Sequence, residues 1–264
     1  MTQLVHLQKV ILSIAKDIDQ IARKNNIDYY LLGGSAIGAI RHKGFIPWDD
    51  DLDIILTDKN YHKLLEALHR ELDPKKYYIQ EGLKDWPMAF SKVKLIGTHL
   101  CEYEGVADNR DHDGIYVDIF KMDNVINDGI RGRLQYFFGK LYLCYQLSIR
   151  SYKSGGIKKR LLMALSSPLK IRIFRNFVVR QIEKYNGQET PYLGFFYGRT
   201  RWKSGVIPTK YFGNPKRVPF EDTMFPVAEL YHEYLSQVFG DYMTLPPEEQ
   251  RKGLHLISVD FGKY

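Results

Sequence analysis

Residues 33–55, GGSAIGAIRHKGFIPWDDDLDII, constrain this chain more than any other stretch. A glycine pair and a serine close a short apolar run. Fifteen residues lie between Ser35 and Asp51, and Asp49, Asp50, Asp51 and Asp53 place four carboxylates in five positions. Like charges this close repel, and burial raises the cost, so a packed core alone has no use for them. A divalent cation neutralises them. Mg²⁺ accepts one or two carboxylates and fills its shell with water and phosphate oxygens. Read as a strand, residues 51–56 put Asp51 and Asp53 on one face, with Leu52 and Ile54 on the other.

Gly33, Gly34 and Ser35 supply the complementary half. Glycine lets backbone approach a ligand closely, and N–H groups at the start of a following helix favour an anion. Phosphate on the Gly-Ser turn and metal on the aspartates together describe phosphoryl or nucleotidyl transfer. A Ca²⁺ loop is the competing reading of the acidic run, but the glycine and distal glutamate of an EF-hand loop are missing. Arg41, His42 and Lys43 lie between the two halves. They are either solvated side chains or, for Arg41 and Lys43, counter-charges to phosphate in the transition state.

The stretch GGSAIGAIRHKGFIPWDDDLDI closely resembles the signature of the LicD/fukutin family of phosphotransferases, within the polymerase-beta-like nucleotidyltransferase superfamily. The resemblance recurs at GIYVDIF, residues 114–120, and at FGDYM, residues 239–243, with Pro246 and Pro247 following. It implies an α/β fold: a nucleotidyltransferase-like mixed sheet flanked by helices, with an appended, mainly helical lobe. It implies Mg²⁺ or Mn²⁺ on Asp51 and Asp53, with Asp118 completing the metal site or taking the acceptor proton. Gly33, Gly34 and Ser35 would hold donor phosphate, beside Arg41 and Lys43. The implied donor is CDP-choline or a related CDP-alcohol. The implied acceptor is a sugar hydroxyl of a cell-surface polysaccharide, lipopolysaccharide or teichoic-acid precursor, free or lipid-linked, and CMP leaves. Two rivals stand beside this reading: a nucleotidyltransferase attaching NMP to a small molecule, and a catalytically silent protein that binds membrane or glycan.

At 264 residues the chain is long enough for one large domain, read here as a catalytic core over 1–125 and a basic, mainly helical lobe with a C-terminal segment over 126–264. The net charge of +7 is unevenly placed. Residues 129–180 hold twelve Lys and Arg and no Asp or Glu, while elsewhere 26 basic residues meet 31 acidic ones, a net of −5. That segment reads either as a solvated helical face or as a surface for anionic lipid or polyanionic glycan. Residues 158–177 interleave Lys158, Lys159, Arg160, Lys170, Arg172 and Arg175 with leucine, isoleucine and phenylalanine, which suits helices lying in a membrane interface. No nucleic-acid module is recognisable. Two widely spaced cysteines fit a reducing compartment. No leader-like pattern opens the chain and no uncharged apolar run spans a bilayer, so a cytoplasmic protein, peripheral at the inner membrane face, is expected.

Along the chain, Leu4, Leu7, Ile11, Ile14, Ile18 and Ile21 predict a helix to about Lys24. Strands are predicted at 27–32, 51–56, 77–80, 90–96, 98–103 and 116–120, and a helix follows Thr57 or Asp58. DNRDHDG, residues 108–114 with His112, reads as a polar loop. Asp118 stands alone in an apolar strand, where a carboxylate is costly unless paired or metal-bound. Asp49 and Asp50 either orient the ligands or end the loop. Trp48 reads as a packing anchor. Residues 192–202 read as an aromatic loop or lid. There Phe195, Phe196, Tyr197, Trp202 and Tyr211 form either a packed lobe or a cage for a quaternary ammonium, and Arg199 and Arg201 are candidates for a phosphate. Residues 227–239 predict a last amphipathic helix. Arg251 and His255 are family-derived candidates without an assigned role.

Overall fold

Helix α1, Gln3–Lys24, forms where the three-and-four spacing predicts it. Thr2 caps it, its Oγ1 accepting the Val5 N–H at 3.4 Å, and Leu7, Ile11, Ile14, Ile18 and Ile21 are buried along one stripe. The structure is a computed structural model that describes residues 2–86, 88–101, 113–127, 129–149, 164–198, 200–251, 253 and 257–264. It is mixed α/β, as expected.

Strand β1, Tyr30–Leu31, is shorter than predicted and pairs antiparallel with β2, Asp53–Thr57, Tyr30 opposite Ile55 and Leu31 opposite Ile54. Between them run α2, Gly33–Ile37, and a π-helical turn, Gly38–His42, which Lys43 ends in the left-handed region at φ 58°. Asp51 therefore lies in the loop before β2, not on it. Three consecutive aspartates have poor strand propensity, and the pleat starts once Leu52 has entered the core. Helix α3, Asp58–Glu71, follows with Thr57 at its N-cap and buries Tyr61, Leu64, Leu65 and Leu68. It packs against α1 and β2. Strands β3, Tyr77–Gln80, β4, Ser91–Leu95, and β5, His99–Cys101, come next, then β6, Tyr116–Val125. In the main sheet the order is β1-β2-β6-β4-β3.

Two units divide the chain: Met1–Lys121 with Phe212–Tyr264, and Met122–Tyr211. Strand β6 is twice as long as predicted because its end, residues 123–125, has a partner of its own in the second unit. That partner is β7, Tyr192–Gly194, which pairs in turn with β8, Val206–Pro208. Buried Asp123 accepts from Asn186 Nδ2 at 2.8 Å. Helices α4, Ile130–Ile149, and α5, Arg172–Ile182, pack together here. Gln135 of α4 donates to the carbonyls of Asn124 at 2.8 Å and Ile182 at 2.5 Å. Residues 192–197, read from the sequence as part of a loop or lid, hold core side chains. Leu193, Phe196 and Tyr197 are buried in this unit's core, because the small residues Gly139 and Gly194 leave room for the Phe196 ring.

The segment 212–264, read from the sequence with the lobe, belongs to the first unit. It opens on an unpredicted hairpin, β9, Lys216–Phe220, and β10, Thr223–Val227, turning at Glu221 with φ 52°. Helix α6 is Tyr231–Phe239 and starts four residues later than predicted, since Val227 pairs with Lys216 in the hairpin. Strand β11, Ser258–Asp260, pairs with β5. Arg217 of β9 ties the hairpin to α1 by a bidentate pair with buried Asp19, at 2.9 and 2.8 Å, and Asp19 also accepts from the Tyr29 hydroxyl at 2.6 Å. Among the described residues no helix is long and apolar enough to cross a membrane. His112, Lys158, Lys159, Arg160, Leu161, Leu162, Arg199 and His255 lie outside them.

Candidate metal and phosphate site

The Gly-Ser turn and the acidic run meet as their spacing suggests. The Leu32 N–H donates to Asp53 O at 2.9 Å, and buried Ser35 accepts the Asp53 N–H on its Oγ at 2.9 Å. Ser35 thus fastens the turn to the first residue of β2 and keeps its own hydroxyl proton for a further acceptor. Gly33 has φ +55°, a left-handed conformation that suits glycine. A Cβ on Gly34 would stand 2.7 Å from Asp49 Oδ2, so a side chain here would push the Asp49 carboxylate aside. Tyr234 of α6 hydrogen-bonds the Gly33 backbone, and burial first, with the Asp53 charge behind it, pushes its phenol well up.

Asp49, Asp50 and Asp51 each bring one carboxylate oxygen within 4.8 Å of the others. Gln8 of α1 holds this loop, donating from Nε2 to Asp49 O at 2.9 Å and Ile46 O at 3.3 Å. Asp53 is the electrostatic centre. Burial, then the charges of Asp51, Asp118 and Asp49, hold its carboxyl well above the usual range, and Lys92 opposes them. Its Oδ1 is buried without a hydrogen-bond partner. A hard cation with oxygen preference fits this donor set: an orphaned buried oxygen amid carboxylates whose repulsion it would cancel. Of the two ligands the sequence selects, Asp51 shares the cluster with Asp49 and Asp50, whereas Asp53 lies outside that cluster and meets it through charge.

Asp118 is buried in β6, and its N–H donates to Leu52 O at 3.2 Å. Its carboxylate has a partner that sequence reasoning missed. Lys92 of β4 stands directly across the strands from it. The ammonium lies 3.0 Å from Asp118 Oδ1, a charge contact without hydrogen-bond geometry, and 3.1 Å from the Tyr116 ring centroid. In SKVKL nothing distinguishes Lys92 from Lys94; only the register of β4 against β6 does.

Arg41 donates to the carbonyls of Tyr242 at 2.8 Å and Thr244 at 3.2 Å, and to His42 Nε2 at 3.0 Å. Burial and then the Arg251 charge lower its pKa. Lys43 is exposed at the left-handed turn. The hairpin holds this loop, with Phe45 N–H on Glu221 Oε1 at 3.1 Å and Glu221 N–H on Lys43 O at 2.8 Å. Trp48 has the edge of His42 at 6.3 Å and Arg251 over its ring at 5.9 Å. Trp202 belongs to the second unit, where Arg133 lies 5.1 Å from its ring centroid and Tyr136 meets it edge-on at 5.5 Å.

Comparison with known proteins agrees with the motif. A family model described as LicD/FKTN/FKRP, nucleotidyltransferase domain, matches residues 26–138. The chain is 31% identical over 263 residues to the lipopolysaccharide cholinephosphotransferase LicD of Haemophilus influenzae, covering 94% of each chain. Uncharacterised proteins of Rickettsia prowazekii and Rickettsia typhi are each 48% identical over 50 residues, 19% of this chain. With a likeness that runs almost end to end, and with Gly34, Ser35, Asp51, Asp53 and Asp118 gathered in one unit, the chain belongs to the LicD family of phosphotransferases.

Proposed function

We propose that the protein moves phosphocholine, or a related phospho-alcohol, from a CDP-linked donor to a sugar hydroxyl of a cell-surface glycan precursor. The observation that carries the transfer chemistry is the orphaned Asp53 oxygen among converging carboxylates beside the Gly33–Ser35 turn. The choline and the glycan come from the name of the Haemophilus relative.

In this reading Asp51 and Asp53, with Asp118 completing the set, hold Mg²⁺ or Mn²⁺, which when bound supplies charge neutralisation at the phosphates. The turn at Gly33, Gly34 and Ser35 takes donor phosphate, and Arg41 and Lys43 add positive charge beside it. The acceptor oxygen forms a bond to the outer phosphorus, the bond from that phosphorus to the bridging oxygen breaks, and CMP departs with the electron pair. The hydroxyl proton passes to a carboxylate, a role Asp118 takes where it does not complete the metal set. Ordinary nucleotidyl transfer attacks the phosphate next to the nucleoside, so the donor here lies in a different register. A glycan precursor carried on a lipid also brings the enzyme to an anionic membrane surface.

Incubation with CDP-choline, CDP-ethanolamine and CDP-polyols, with Mg²⁺ and with or without lipid-linked glycan, tests this. CMP release that needs CDP-alcohol, acceptor and divalent metal is expected. Pyrophosphate released from an NTP would instead establish the nucleotidyltransferase that the family model's description also accommodates.

A further inference from the structure

Helix α4 buries Gly132, Gln135, Gly139, Tyr142, Tyr145 and Gln146, a side of glycine, amide and tyrosine with no aliphatic residue. The opposite side carries Ile130, Leu134 and Phe137, which are 87%, 53% and 57% exposed. Helix α5 repeats the arrangement. It buries Val178 and Ile182 on one stripe and leaves Ile173, Phe174 and Phe177 on another, 72%, 51% and 54% exposed. The two outer stripes are continuous. Phe138 lies 5.8 Å from Phe137 on one side and meets Phe177 across the helix pair at 6.0 Å between ring centroids. Large apolar side chains gathered like this, rather than scattered, mark a surface that something covers.

The charge around the ridge selects the occupant. In the described parts of residues 129–182, Arg131, Arg133, Lys170, Arg172 and Arg180 are exposed cations, Arg175 is half-buried on the Tyr145 hydroxyl, Lys140 turns in to the Phe196 and Gly198 carbonyls, and no Asp or Glu occurs. A second copy of this face would set cations against cations. An anionic bilayer offers both what the ridge lacks, hydrocarbon, and what its rim lacks, negative charge. We infer that the outer face of α4 and α5 is a docking surface for an anionic lipid membrane, with the aromatic ridge entering the headgroup region and the exposed cations meeting phosphates. Its purpose rests on the glycan-transfer reading, since that acceptor is lipid-borne. The surface itself is testable without donor or acceptor, so the two readings fail separately.

Co-sedimentation of the full chain with phosphatidylcholine vesicles, with and without phosphatidylglycerol, at low and high salt decides the matter. Binding should need phosphatidylglycerol and fall at least tenfold at high salt, as screening shortens the reach of the charges. It should be lost in Phe174→Ser/Phe177→Ser, and weakened several-fold in Lys170→Gln/Arg172→Gln. All four side chains are exposed, so both variants should keep the parent's circular dichroism. No binding, equal binding to neutral vesicles, or binding unchanged in both variants would overturn the inference. So would a concentration-dependent dimer that Phe174→Ser/Phe177→Ser dissolves.

Discussion

Asp53 occupies a position that stability alone disfavours. Its carboxyl is buried among three like charges, and one oxygen has no donor. Asp53→Asn removes the repulsion at the same shape, so the metal-free protein should melt no lower than the parent and up to a few degrees higher. Turnover of CDP-choline in Mg²⁺ should nevertheless fall about 10³-fold or more, since a metal ligand contributes several kcal/mol to the transition state. Near-normal turnover would sink the proposed site. Lys92 makes the complementary case. It and Asp118 are both buried, and breaking such a pair leaves an uncompensated charge at a cost of about 3–5 kcal/mol. Lys92→Met should therefore destabilise strongly in urea melts, and Lys92→Met/Asp118→Asn should recover most of the loss. Additive losses would mean that the pair is not coupled. The meeting of the Gly-Ser turn with the acidic run was legible in the sequence because four carboxylates in five positions have no use in a packed core. Lys92 was not, because its meaning depends on which strand lies beside β4.

At the scale of elements, periodicity was a good guide to long helices and a poor one to short strands. Helices α1 and α3 each bury one stripe and show it in their spacing. The β9–β10 hairpin hid behind Pro219 and Pro226, which ordinarily argue against a strand, and behind Val227, which continues the apolar pattern of α6. Residues 192–197 looked like a loop because glycine and aromatics punctuate them, yet the glycine is the space that admits Phe196. Where α3 begins, Asp58 links it to β6 through Lys121 Nζ at 2.8 Å. Burial would raise the Asp58 pKa, but the hydrogen bond from His62 and the charge and hydrogen bond of Lys121 outweigh it and bring it down to about 2. A lowered carboxyl pKa means stability that is fully present above about pH 4 and lost as pH falls toward 2. Asp58 is partly solvated, so the contribution is of order 1 kcal/mol. Urea melts of the parent and Asp58→Asn should differ by that amount at pH 6 and converge near pH 2. A difference that persisted unchanged at pH 2 would remove Asp58 as its source.

For the whole molecule, the division into two units decides where ligand stabilisation goes. The clustered carboxylates, the Gly-Ser turn and Arg41 all lie in the first unit. A cation that binds only the folded site stabilises by about 2.7 kcal/mol at a hundredfold excess over its Kd. For a unit of this size that is roughly 5–10 °C in the melting temperature. The tryptophans separate the readout, since Trp48 and Trp86 belong to the first unit and Trp202 to the second. In a Trp202→Phe background, tryptophan emission follows the first unit alone. Its transition should rise on adding Mg²⁺, rise further when a CDP-alcohol is present, and fail to move with Mg²⁺ once Asp53→Asn is introduced. A rise that survived Asp53→Asn would place the cation elsewhere. No rise at any Mg²⁺ concentration, with or without donor, would leave the buried Asp53 oxygen without the role that its surroundings imply.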